Sequence, residues 1–217
     1  MIDNKYLEEY LFNILNKRIV SIDVAHDTSH LKRVLNMARK ISQVEEKGHP
    51  LVITAAALLH DYIALPKNDP ERNMASRLSA HEAEKILTNC NFPISLIKDT
   101  MNAIEAHSFS ANIPTRCIEA EIIQDADRID ALGAIGIARC FAVSGSIGRL
   151  LFNPDDPLGD EGRELDSSTW GLDYFMKYLV NYPQTMKTKT GKRIAEERVK
   201  YFYSFADRLK AETNAEV

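Results

Sequence analysis

The sequence predicts an all-α fold, and three observations lead to that prediction. Apolar residues recur at steps of three and four positions along most of the chain. Proline, aspartate and glycine stand at the borders of these periodic segments, where they favour helix starts and helix breaks. No segment alternates apolar and polar residues for long enough to predict a strand.

Eight periodic segments predict helices in chain order. Alanines in the third segment favour helix over strand, and the fourth opens with an aspartate cap followed by a proline. A break is expected in the sixth segment near Gly133 or Gly136, and residues 144–168 are predicted to form a loop. The predicted helices cover residues 6–19, 30–44, 50–59, 69–88, 93–107, 119–143, 170–180 and 190–213.

Length and composition exclude several classes of protein. The chain has 217 residues, which suits one domain with a C-terminal helical part from about residue 163 to 217. The net charge of -4 argues against a partner that is a nucleic-acid polymer, since such proteins are more often basic. Three scattered cysteines and a polar N-terminus fit a reduced, cytoplasmic setting. Apolar runs are too short to cross a membrane, so no membrane partner is expected.

A first candidate site lies in the segment HDTSH. Asp27 or Thr28 can cap a helix that has His30 in its first turn. If the helix begins early enough, His26 and His30 share one face because they are four residues apart. The alternative is an ordinary helix cap followed by a histidine that is exposed or already hydrogen-bonded.

A second candidate is the pair His60 and Asp61, which directly follows the apolar segment AAALL. Titratable groups at the end of a buried helix must be solvated, paired or bound to a cation. The alternative is a helix C-terminus at which the helix dipole favours a histidine.

A third candidate is Asp127, beside an apolar stripe on the predicted helix 119–143. An inward aspartate needs a cation, which can be a metal or an arginine such as Arg128 or Arg139. Asp125 falls on another side of the same helix. The stripe consists of Ile122, Ala126, Ile129 and Gly133.

The combination of a histidine, a His-Asp pair about thirty residues later and a downstream aspartate resembles the HD-domain phosphohydrolases, which are named for that pair. The likeness is closer to a bacterial branch of single-domain members. It covers roughly residues 23–141. The segments that carry it are HDTSHLKRV, AALLHD, PKNDPERNMASRLSA, AHS and QDADRIDALGAIGIAR.

This resemblance implies a compact helical HD fold with its metal-site core at about residues 20–143. It also implies one divalent metal per chain, with His30, His60, Asp61 and Asp127 as ligands. Two imidazoles and two carboxylates suit Mn²⁺ first, and also Mg²⁺, Fe²⁺, Ni²⁺ or Co²⁺. A second ion, which some HD proteins hold, would need His81 or His107, and an exposed position is expected for His81.

The implied activity is hydrolysis of a phosphate ester or anhydride in a nucleotide or related compound. Cleavage of a nucleoside triphosphate to monophosphate and pyrophosphate is favoured, as is known for relatives in this branch. The alternatives are a nucleoside monophosphatase (5′-nucleotidase) and a non-catalytic ligand-binding protein with a degenerate HD site. Lys67, His107 and His26 are the expected catalytic residues. The expected substrate-binding residues are Arg33, Asn68, Arg72, Ser76 and Ser79.

The last predicted helix leaves one question open. Phe202, Phe205 and Leu209 recur at three- and four-residue steps, so they form either a core face or the face of a homodimer.

Overall fold

The structure is a computed structural model that describes residues 2–18, 27–65, 69–108 and 111–216. Within these ranges it has α-helices, two 3₁₀ helices and an isolated bridge between Leu150 and Trp170, but no strand, so the predicted all-α fold is confirmed. The α-helices are α1 Asn4–Arg18, α2 Thr28–Glu45, α3 Pro50–Leu59, α4 Ala75–Asn89, α5 Ile94–His107, α6 Ile118–Asp130, α7 Gly133–Ser146, α8 Gly171–Tyr178 and α9 Lys189–Thr213. The 3₁₀ helices are Arg72–Met74 and Leu179–Thr185.

Residue contacts divide the chain into two compact units. The first consists of Met1–Asp127 and Lys187–Thr190, and the second of Arg128–Met186 and Gly191–Val217. The expectation of a single domain stays a prediction.

Helix α3 is the central element of the first unit. Its residues from Val52 to Leu59 are all buried, and it packs against α1, α2 and α5. Pro50 occupies its first turn, and the ring Nδ1 of His49 accepts a hydrogen bond of 3.2 Å from the backbone N–H of Leu51. A short, almost wholly apolar helix thus fills the core, and the His-Asp pair follows at its carboxyl end.

The core of the second unit includes stacked aromatic rings. The rings of Phe175 and Phe202 are stacked with centroids 3.9 Å apart, and both side chains are buried. Phe202 is therefore a core residue, whereas Phe205 and Leu209 are half-buried. A homodimer remains a prediction.

One predicted helix boundary agrees with the structure and another differs from it. The break predicted near Gly133 or Gly136 falls before Gly133, which has a left-handed φ of 68° that glycine adopts without strain. The helix predicted to start at Asp69 begins only at Ala75, so that boundary was wrong. The carboxylate of Asp69 instead accepts the N–H of Glu71 at 2.8 Å, and 3₁₀ bonds such as Met74 N to Glu71 O follow.

Among the described residues, no single helix is long and apolar enough to span a membrane. Only the consecutive helices α6 and α7, taken together, reach that length and composition.

Candidate metal centre

His30 enters the centre from the first turn of α2. The carboxylate of Asp27 caps this helix, because Oδ1 accepts the backbone N–H of His30 at 2.8 Å. Desolvation raises the pKa of Asp27, but the hydrogen bonds from His30 and Ser29 outweigh it and lower the pKa below its ordinary value. The cap fixes the start of α2, and the His30 side chain is fully buried three residues later.

His60 and Asp61 follow the carboxyl end of α3. The Nδ1 atom of His60 lies 2.9 Å from the carbonyl oxygen of Ala57, which selects the tautomer with a proton on Nδ1. The other ring nitrogen, Nε2, is then the atom that binds a metal when its proton is released. His60 is fully buried, whereas the Asp61 side chain is 22% exposed.

Asp127 on α6 completes a group of four side chains. The Nε2 atoms of His30 and His60 are 3.3 Å apart. The Oδ1 atom of Asp127 lies 3.5 Å from Nε2 of His30 and 3.8 Å from Nε2 of His60. The Oδ2 atom of Asp61 lies 3.3 Å from Nε2 of His60 and 3.7 Å from Nε2 of His30.

These distances fit the spacing of ligands around one metal ion. Ligand atoms about 2.1 Å from an ion are separated by about 3.0 Å at neighbouring corners of an octahedron and about 3.4 Å in a tetrahedron. The five donor–donor distances of 3.3–3.8 Å are close to these values. The described residues therefore bring together a His/Asp cluster that can hold a divalent metal.

The electrostatics of the group favour a positive charge within it. Burial lowers the pKa of His60, but the negative charges of Asp61 and Asp127 outweigh it and raise that pKa to about 9. Desolvation raises the pKa of Asp61, yet His60 and His107 hold it well below the ordinary value. The two carboxylates thus attract a cation to the position between the imidazole nitrogens.

His107, the last residue of α5, lies beside this group. Its Nδ1 atom is 2.6 Å from the carbonyl oxygen of Ile104, and its Nε2 atom is 3.4 Å from Oδ1 of Asp61. Its ring centroid is 4.7 Å from that of His60. His60, Asp61 and His107 form a second group of potential ligands. Asp61 directs Oδ2 toward His30 and His60, and Oδ1 toward His107. His81 is exposed on α4, as expected.

The serines predicted to bind substrate are both buried on α4. The Ser79 hydroxyl accepts the backbone N–H of Ile63 at 2.9 Å and lies 3.3 Å from the Ile63 carbonyl oxygen. The Ser76 hydroxyl is buried and has no hydrogen-bond partner within the described part of the chain. Ser79 therefore holds the segment that follows Asp61.

The remaining predicted residues differ in what the structure shows of them. Arg33 is half-buried one turn after His30 and donates a hydrogen bond of 2.8 Å to the Ser29 hydroxyl. Arg72 is half-buried in the first 3₁₀ helix. His26, Lys67 and Asn68 lie outside the described residues.

Sequence reasoning missed two polar residues of α6 that hold neighbouring helices. Buried Glu119 accepts the backbone N–H of His49, just before α3, at 2.7 Å. Buried Gln124 donates to the carbonyl oxygen of Ala106, next to His107, at 2.6 Å. Seven of the thirteen residues of α6 are charged or glutamine, so no local signal distinguished these two.

Comparisons with known proteins identify the family and the fold. The family model of the HD domain matches residues 28–132. YpgQ of Bacillus subtilis (strain 168) is 32% identical over 189 residues, which cover 85% of this chain and 82% of YpgQ. The crystal structure of an HD-superfamily hydrolase from Bacillus thuringiensis is 30% identical, with a TM-score of 0.72 over 98% of this chain and 97% of that one. The crystal structure of YpgQ in complex with ADP is 27% identical, with a TM-score of 0.70 over 95% of this chain and 96% of that one.

Proposed function

Because the chain belongs to the HD-domain superfamily, we propose that it is a metal-dependent phosphohydrolase acting on a nucleotide or a related phosphate compound. The observation that carries the proposal is the convergence of two buried imidazoles and two partly exposed carboxylates: the two Nε2 atoms are 3.3 Å apart, and each lies 3.3–3.8 Å from an oxygen of both carboxylates. Such a set binds a divalent cation and leaves one side open to solvent.

In this proposal, His30, His60, Asp61 and Asp127 hold one divalent metal, with Mn²⁺ the first choice among ions that accept mixed imidazole and carboxylate ligands. When bound, the metal polarises a phosphoryl group and lowers the pKa of a coordinated water. The histidines are buried, while the side chains of Asp61 and Asp127 are 22% and 28% exposed. The exposed carboxylate edge is the side from which a phosphate can approach.

His107 is the best-placed described residue for handling a proton next to the ligands. Hydrogen bonding to Ile104 fixes its Nδ1 atom, so its Nε2 atom is the one that can accept or donate a proton near Asp61. It also sets the orientation of the Asp61 carboxylate. His26 and Lys67 stay in the proposal as catalytic residues on the basis of the resemblance alone.

Cationic and polar side chains must offset the charge of the substrate phosphates. Arg33 is the described candidate closest in sequence to a ligand, since it lies one helical turn after His30. Arg72, Ser76 and Asn68 remain candidates. Ser79 supports the segment after Asp61, so we assign it an indirect part in substrate binding.

A nucleotide is the favoured substrate because the relative YpgQ has been crystallised in complex with ADP. Within that class we propose cleavage of a nucleoside triphosphate to a monophosphate and pyrophosphate. A nucleoside monophosphatase would use the same metal centre and differ only in releasing orthophosphate. A degenerate binding protein would release neither product.

The test is product release from a panel of nucleoside mono-, di- and triphosphates. The purified protein is stripped of metal and refilled with Mn²⁺, Mg²⁺, Ni²⁺ or Co²⁺, and phosphate and pyrophosphate are measured separately. We expect Mn²⁺-dependent pyrophosphate release that is lost in Asp61→Ala, because that change removes a charged ligand. Asp99→Ala, which removes an exposed carboxylate from α5, is the matched control and should retain full activity.

Each other outcome changes the proposal in a defined way. Orthophosphate release from monophosphates would replace the pyrophosphohydrolase by a nucleotidase. Full activity in Asp61→Ala would refute the ligand assignment. A protein that binds no metal and releases no product would be a degenerate HD protein.

A further inference from the structure

Asp125 is a buried carboxylate that is not among the proposed ligands. Its side chain is fully buried on α6. Oδ1 accepts the backbone N–H of Lys187 at 2.9 Å, and Oδ2 accepts the N–H and the hydroxyl of Thr188, both at 2.8 Å. Burying a charge raises the free energy of the folded state unless the charge is hydrogen-bonded. The bonds from Lys187 and Thr188 offset this desolvation cost for Asp125.

Asp125 and a second carboxylate hold the same short segment, Lys187–Thr190. The Oε1 atom of Glu45 accepts the backbone N–H of Thr190 at 2.7 Å. The hydrogen bonds from Thr190 lower the pKa of Glu45 below its ordinary value. Helix α9 begins at Lys189. Asp125 accepts the N–H groups of the two residues just before this helix, and Glu45 accepts one in its first turn, where N–H groups lack partners within the helix.

The two acids differ in their distance from the metal centre. Glu45 ends α2, fifteen residues after His30, which corresponds to about 22 Å along a helix. Asp125 is two residues before Asp127 on α6. Each residue of a helix is rotated by about 100° from the one before, so side chains two residues apart point about 160° apart. Helix α6 is therefore held through Asp125 on one side and presents Asp127 on nearly the opposite side.

The position of Asp127 depends closely on the rotation of α6. Its Oδ1 atom lies 3.5 Å and 3.8 Å from the two imidazole nitrogens. A rotation of the helix by about 20° would move an atom about 5 Å from the helix axis by about 2 Å. Such a shift would take the carboxylate out of the range in which it can share an ion with His30 and His60.

We propose that Asp125 is a positioning residue for Asp127: its bonds to Lys187 and Thr188 fix the rotation and depth of α6 and so the geometry of the metal centre. The inference rests on the proposed function, since it needs a metal bound at this centre. Residues that orient metal ligands change metal affinity by about 10–100-fold when they are replaced.

The test compares Asp125→Asn with Glu45→Gln. Both oxygens of Asp125 accept hydrogen bonds, so Asp125→Asn turns an NH₂ group toward a donor, whereas Glu45→Gln can keep an oxygen on Thr190 but loses the charge that strengthens the bond. Both variants should lower the thermal midpoint by about 2–6 °C, because both loosen the same segment. Titration of the stripped full-length proteins with Mn²⁺ alone, far below the midpoint, should show at least tenfold weaker binding in Asp125→Asn and less than twofold in Glu45→Gln.

Equal Mn²⁺ affinity in Asp125→Asn and wild type would overturn the inference, and so would equal weakening in both variants. If Asp125→Asn does not fold, Thr188→Val removes only the hydroxyl bond and should weaken Mn²⁺ binding by about threefold. An unchanged affinity in that variant would also refute the positioning role. Failure of the wild-type protein to bind Mn²⁺, Mg²⁺, Ni²⁺ or Co²⁺ is a separate result, because it overturns the proposed function itself and this inference with it.

Discussion

The metal centre and the network around Arg163 are two groups of buried or half-buried charges with different geometry. In the network, Arg163 binds the fully buried Asp173 through two hydrogen bonds of 2.6 and 2.7 Å. The backbone N–H of Asp166 donates a third bond of 2.7 Å to Asp173. In the metal centre, the five distances that join a histidine Nε2 atom to the other Nε2 atom or to a carboxylate oxygen are 3.3–3.8 Å.

The difference in spacing separates a structural carboxylate from a ligand. Contacts of 2.6–2.7 Å are charge-assisted hydrogen bonds, so Asp173 has its counter-charge supplied by the chain. Donor atoms 3.3–3.8 Å apart are too far for strong hydrogen bonds and have the spacing of atoms that share an ion. Both regions contain aspartates that face cationic or imidazole groups, so residue type alone does not distinguish them, whereas the distances do.

The largest expected effect tests the structural side of this comparison. Asp173→Ala leaves the guanidinium of Arg163 without its main partner, so the free energy of unfolding should fall by about 3–5 kcal/mol. Urea unfolding measures this loss. Glu212→Ala removes one member of an exposed ion pair with Arg208 and should cost less than about 0.5 kcal/mol. Mn²⁺ affinity should stay unchanged in both folded variants, and a loss in Asp173→Ala would contradict the separation of roles.

The second effect tests the ligand side. Mn²⁺ at a hundred times its dissociation constant should stabilise the wild-type protein by about 2.7 kcal/mol, because only the folded chain brings the four ligands together. Thermal unfolding with and without Mn²⁺ measures this shift, and a chelator should reverse it. Asp127→Ala should show no shift, whereas Glu212→Ala should show the wild-type shift. A full Mn²⁺ shift in Asp127→Ala would mean that the ion binds elsewhere.

How much of this was predictable from the sequence depends on the range of the interaction. The apolar segment 50–59 predicted a buried α3, and its carboxyl end predicted a charged pair that needs a partner. Burial and hydrophobic periodicity are local properties of the sequence, so the helices were confirmed with small changes at their ends. The start of α4 was wrong because the Asp69 carboxylate forms a local turn in place of a helix cap.

Contacts between residues far apart in the sequence could not be predicted from local hydrophobic patterns. A helical wheel separated Asp125 from Asp127, but it could not show that Asp125 meets backbone groups sixty-two and sixty-three residues later. The approach of His107 to Asp61 likewise depends on how α5 packs against α3. The ligand set itself was assembled from three distant segments by family resemblance, because no local pattern joins them.

The smallest expected effect repeats the comparison within α4, where Ser79 and Ser76 are both buried but only Ser79 is hydrogen-bonded. Ser79→Ala leaves the N–H of Ile63 without its partner, so the free energy of unfolding should fall by about 1–2 kcal/mol. Ser76→Ala removes a buried hydroxyl that has no hydrogen-bond partner in the described structure and should change stability by less than about 0.5 kcal/mol, or raise it. Urea unfolding of the two variants side by side distinguishes them. Equal losses would show that burial, and not the bond to Ile63, sets the contribution of these serines to stability. The role of a neutral polar side chain could then not be inferred from its hydrogen-bond distances, as it is for the charged groups around Arg163.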